Sequence, residues 1–202
     1  YSLCGRKSTT AFCVASDERE AQTICNDLAS MGMRAYFYPE RDFNFRDIQS
    51  ASREYEHTRL KVLLKLIDGE CAVVVSCIDA AAQFTVPKEF LRDCVLTLKE
   101  GLEISIEKAV RTLTLLGYER FDAVEGSGQF SLRGGILDFF MPDSDYPVRC
   151  EFWGDEITDL SYFDIETQRR FKKADKITLS PSTEIVIEDR AALAAKIEHK
   201  AK

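Results

Sequence analysis

The chain has 202 residues, 45% hydrophobic and 30% charged, which is enough for one large domain or two small ones with cores of their own. A net charge of -7 speaks against a surface made for duplex DNA, and no run reaches the roughly 18 apolar residues of a membrane span, so no membrane partner is expected. Seven cysteines and two histidines, with no C-x-x-C pair, argue against a disulfide scaffold or a structural zinc site and place the chain in the cytoplasm.

No basic stretch feeds an apolar one after Tyr1, so no signal peptide is visible, and a first residue other than Met suggests an excised piece of a longer protein or a processed chain. Residues 10–16 read as a short apolar strand. Asp17 is placed to cap a helix whose apolar stripe is Ala21, Ile24, Cys25 and Leu28, ended at Gly32. Residues 33–38 read as a second strand stopped by Pro39, and 40–49 as a loop. Residues 52–67 repeat apolar side chains at three and four, the mark of an amphipathic helix. Residues 71–76 are almost continuously apolar, as in a parallel strand buried on both faces. The alternation of helix and strand predicts a parallel α/β unit.

The period changes after that. Residues 93–98 read as an edge strand and 104–116 as a helix ended by Gly117. Residues 130–133, 136–140, 148–153 and 157–163 alternate between turns and predict a largely antiparallel meander. The composition sets domain boundaries at 1–94, 95–180 and 181–202. The last segment reads as a strand and helix returning to the α/β domain, which makes the middle an insertion.

The usual signatures of chemistry are weak. Gly5-Arg6-Lys7-Ser8-Thr9 resembles part of a phosphate-binding loop but lacks its first glycine, and a strand follows where a helix is needed. Gly126-Ser127-Gly128 reads as a turn. The carboxylates Asp155, Glu156 and Asp159 have no histidine nearby and read as a charged turn. No catalytic, metal-binding or cofactor-binding residue is assigned. What stands out is Arg133, Arg149 and Trp153 on predicted strands of one small sheet. Arg149 and Trp153 share a face by strand parity, and arginine and tryptophan dominate binding hot spots. An acidic partner patch would be their complement. The alternative is a core Trp153 with both arginines paired locally to Glu151 or Asp155.

The residues from Gly117 to Arg170 carry a family signature: R-G-G-I-L-D at Arg133–Asp138, P-V-R-C-E-F-W-G-D-E-I at Pro147–Ile157, and F-D-I-E-T-Q-R at Phe163–Arg169. This series closely resembles the N-terminal region of the bacterial transcription-repair coupling factor family (Mfd) and, more distantly, the excision-repair protein UvrB. The resemblance implies a degenerate RecA-like α/β domain with an inserted, mainly antiparallel α+β domain that binds UvrA. It implies a parent that translocates on DNA, displaces stalled RNA polymerase and uses ATP and Mg in motor domains outside this fragment, which itself would hold no cofactor and catalyse nothing. Other domains of the same parent are implied as partners that mask the docking face. The family's interface arginines would fall on Arg133 and Arg149, and its aromatic on Trp153. Glu151 lies in the same contact strand, and Phe152 would be the inward member of the aromatic pair. The competing readings are a fragment of UvrB and a purely structural or autoinhibitory domain of the translocase.

Overall fold

A computed structural model describes residues 9–41, 53–70, 72–93 and 96–184. The Gly5–Thr9 segment lies almost entirely outside them, as do most of the 40–49 loop and the strand and helix expected after residue 184. By contact density the chain divides into two compact units, Tyr1–Leu91 and Arg92–Lys202.

The first unit is built on a three-stranded parallel sheet of β1 (Ala11–Ala15), β2 (Ala35–Tyr38) and β3 (Val73–Cys77), in the order β1-β3-β2. Every residue of the central β3 is buried, which is why that segment is apolar without alternation. Helix α1 (Glu18–Ser30) joins β1 to β2 and packs Ala21 and Cys25 against Val73 and Val75. Helix α2 (Glu54–Ile67) joins β2 to β3 and packs Val62 against Tyr38 and Val74 on the opposite face. Two short helices follow, α3 (Ile78–Ala81) and α4 (Lys88–Asp93). The expected edge strand over 93–98 is therefore wrong at its start: Asp93 ends α4, and the strand covers only Thr97–Lys99. A hydrophobic run without a strict period fits either element, and Pro87 supplied the helix start that alternation alone did not reveal.

The strand-to-helix junction after β1 is where a parallel unit would cradle a phosphate. Here it is two residues long. Asp17 Oδ1 accepts from the Glu20 N–H at 2.8 Å, and Glu20 Oε2 in turn accepts from the Ser16 N–H and hydroxyl. The two Ser16 bonds, the hydroxyl's first, hold the Glu20 carboxyl below its usual range. With Asp17, Glu18 and Glu20 together, the positive end of α1 is already met by carboxylates and repels an anion.

The second unit opens with β4 (Thr97–Lys99), which pairs antiparallel with β11 (Lys176–Thr178). Helix α5 (Ile106–Leu115) is capped by Ser105. Then come β5 (Glu119–Arg120), β6 (Gln129–Arg133), β7 (Ile136–Phe139), β8 (Val148–Trp153), β9 (Glu156–Phe163) and β10 (Arg170–Lys173). They form a six-stranded sheet in the order β10-β9-β8-β7-β6-β5, larger than the meander expected from the sequence. The strands from β6 to β10 pair antiparallel; β5 lies parallel to β6 at the edge. One face of this sheet, with Phe130, Leu137, Phe139, Cys150, Leu160 and their neighbours, is buried against Ala109 and Leu113 of α5. Among the described residues no helix is long and apolar enough to cross a membrane.

Candidate protein-docking face

The opposite face of the six-stranded sheet is set by two tight hairpins. Arg133 pairs with Ile136 across Gly134-Gly135, and Trp153 pairs with Glu156 across Gly154-Asp155. Gly134 and Gly154 have φ of 60° and 62°, the left-handed backbone that a two-residue hairpin asks of its first turn residue. Gly135 is required for a second reason: a Cβ there would sit 2.7 Å from the carbonyl oxygen of Phe152 on β8. The double glycine thus lets β7 lie close against β8.

Along β8 the burial alternates without a break, so Val148, Cys150 and Phe152 point to the core while Arg149, Glu151 and Trp153 point outward. A register shift occurs opposite Glu151 and Phe152, but the extra residue, Thr158, belongs to β9. Parity on β8 therefore survives to Trp153. Its side chain is 82% exposed, which removes the alternative of a core tryptophan; Phe152 is the buried member of the pair.

Asp138, on the strand between those of the two arginines, pairs directly with Arg149 in the register and is 1% exposed. Arg149 holds it with two bonds, Nε to Oδ1 at 2.7 Å and Nη2 to Oδ2 at 2.8 Å. Arg133 adds one, Nη2 to Oδ2 at 2.7 Å. The Asp138 bonds raise the Arg149 guanidinium above its usual range. The rest of Arg149 is also engaged. Its plane lies 4.5 Å from the ring centroid of Phe163, and Nη1 and Nη2 donate to the main-chain oxygen and Oε1 of Gln168, each at 3.2 Å. The Arg149 side chain is 14% exposed, against 50% for Arg133.

The arginines thus pair with Asp138, which corrects the alternative of local pairs with Glu151 or Asp155. Glu151 is bonded to Arg170 Nη1 at 2.8 Å, and the same nitrogen reaches Asp159 at 3.1 Å. Of the carboxylates expected in a charged turn only Asp155 lies in the hairpin turn, Glu156 and Asp159 being on β9; no cluster of three metal-type ligands occurs among the described residues. Sequence reasoning missed two members of the network. Asp138 was legible as a lone carboxylate in an apolar strand, a residue that must find a cation when buried. Gln168 has φ of 58° and is the one non-glycine at positive φ among the described residues; nothing in its local sequence announces that.

The face therefore offers a fixed ion network, a half-exposed arginine and a bare tryptophan. It has no nucleophile held by a base and no pair of titrating groups poised for proton transfer. Such a surface is chemically suited to binding an apolar patch flanked by carboxylates.

Residues 96–185 match the family model described as the UvrB interaction domain. The chain is similar to proteins named transcription-repair-coupling factor. It is 29% identical to that of Bacillus subtilis over 201 residues, 98% of this chain and 17% of the relative. The Staphylococcus epidermidis protein is 29% identical over 76% of this chain and 13% of its own length; that of Staphylococcus aureus is 28% identical over 82% and 14%. The chain thus spans about a sixth of the length of these relatives at most.

Proposed function

We propose, from a chain that carries a UvrB interaction domain and resembles transcription-repair coupling factor over most of its length, that the outer face of the six-stranded sheet docks UvrA. The observation that carries this reading is Trp153, exposed on the same strand face as Arg149 and one hairpin away from Arg133. An aromatic anchor that becomes desolvated, with an arginine beside it for a partner carboxylate, is the composition of a binding hot spot. Arg133 is the mobile cation of the two. It gives Asp138 a single bond, and Arg149 keeps that buried carboxylate compensated when Arg133 turns toward a partner.

In this reading the chain recruits repair machinery and performs no bond chemistry. ATP and Mg, DNA translocation and the displacement of RNA polymerase belong to the rest of the parent protein, and other domains of that parent cover the face when repair is not engaged. The middle of the chain, 95–180, is the docking domain, and 1–94 is a degenerate RecA-like domain. The acidic junction at Asp17, Glu18 and Glu20 supports the loss of a nucleotide site there.

Calorimetric titration of the chain into UvrA tests this. Binding is expected for the wild type, with at least a tenfold loss, about 1.4 kcal/mol, for Trp153→Ala and for Arg133→Glu. A folded wild-type chain that does not bind UvrA overturns the proposal.

A further inference from the structure

The turn between β9 and β10 is tied to the docking face more firmly than a connection needs. Asp164 Oδ1 accepts from both the N–H and the hydroxyl of Thr167 at 2.8 Å. The Asp164 N–H donates to the Arg169 carbonyl, and the Gln168 N–H to the Asp164 carbonyl. Gln168 Nε2 donates to the Ile165 carbonyl at 2.8 Å. Its two oxygens take both remaining bonds of Arg149. The result is a non-glycine residue held in left-handed backbone by four hydrogen bonds. A conformation that costs energy persists only where the surroundings fix it, and such sites cluster at functional surfaces.

Arg149 thus joins two things: the Arg133–Asp138 pair on one side and the 164–169 turn on the other. Being largely buried and fully engaged, it is poorly placed to meet a partner itself. What the turn exposes next to Gln168 is Arg169, which has no carboxylate within ion-pair distance among the described residues. Building on the UvrA reading, we infer that the 164–169 turn is the second half of the docking surface, with Gln168 a positioning residue that presents Arg169 to an acidic patch on the partner. Arg149 is the positioning hub between the halves, and Arg133 and Arg169 are the cations that touch.

The test is a double-mutant cycle on UvrA affinity, with Arg133→Glu and Trp153→Ala as references and melting temperatures for all. Arg169→Ala is expected to weaken binding about fivefold or more and to flatten its salt dependence, with the melting temperature unchanged. Gln168→Gly keeps the left-handed backbone and the carbonyl acceptor but removes the side chain. It is expected to weaken binding in the wild-type background and to add nothing once Arg169 is Ala. The inference is overturned if the reference variants lose binding while Arg169→Ala binds like wild type, or if Gln168→Gly and Arg169→Ala losses simply add. Failure of the wild-type chain to bind UvrA is a different result, and removes the docking reading as a whole.

Discussion

Arg149 and Arg133 both meet Asp138, yet their removal should have very different consequences for stability. Arg149→Ala strips two bonds from a carboxylate that is 1% exposed, uncovers Phe163 and leaves Gln168 without its donors. Breaking a buried ion pair from one side costs about 3–5 kcal/mol. Arg133 still offers one bond, so the lower end of that range, about 3 kcal/mol, applies. Arg133→Ala removes one bond from a half-exposed side chain and leaves Asp138 bidentate, and should cost about 1 kcal/mol or less. Urea unfolding followed by circular dichroism measures both, with the transition of the second unit assigned by its response to the mutation. In a unit of this size the Arg149 variant should melt roughly 10 °C lower. Two variants destabilised equally, or an Arg149→Ala chain within about 1 kcal/mol of wild type, would refute the assignment of Arg149 as the hub. The practical consequence is that a loss of UvrA binding in Arg149→Ala mixes stability with contact, whereas Arg133 and Trp153 report contact directly.

Two further predictions concern the same sheet. Gly135→Ala forces a Cβ against the Phe152 carbonyl at 2.7 Å, backbone against side chain with no rotamer to yield; a loss of about 1–3 kcal/mol in denaturant unfolding is expected, and a neutral result would show that β7 can move off β8. Burial pushes the Cys150 thiol up from its ordinary value of 9.0 to about 12. The folded state therefore resists deprotonation while the unfolded chain ionises, so this contribution to stability is intact below about pH 9 and declines as the pH rises toward 12. Cys150→Ala should show a shallower alkaline loss than wild type in unfolding curves between those values; identical slopes would contradict it.

Much of this architecture is written in local patterns. The alternation of Val148–Trp153 gives that strand its bounds and its two faces, and the continuous apolar run at Val73–Cys77 gives the central strand of the parallel sheet. The Arg-Gly-Gly sequence fixes a hairpin because only glycine fits both the left-handed turn and the close approach to Phe152. Three things were not legible. The start of β4 was misplaced because a short apolar stretch after Pro87 fits a helix as well as a strand. The partner of the arginines was not local: Asp138 faces Arg149 on the adjacent strand, a pairing set by register and invisible in spacing along the chain. Gln168 is bound to Arg149 from 19 residues away, and its left-handed backbone is imposed by those tertiary bonds against its own propensity.

Trp153 is the one tryptophan of the chain, and it stands in the middle of the claim. Labelling the protein with 5-fluorotryptophan gives a single fluorine resonance that reports on the outer face alone. With UvrA at saturation, that resonance should shift and lose its solvent-isotope response as the exposed indole becomes desolvated. A resonance that keeps its position and its full isotope response, while calorimetry shows the complex formed, would mean that UvrA binds elsewhere and that the outer face of the sheet is not the docking surface.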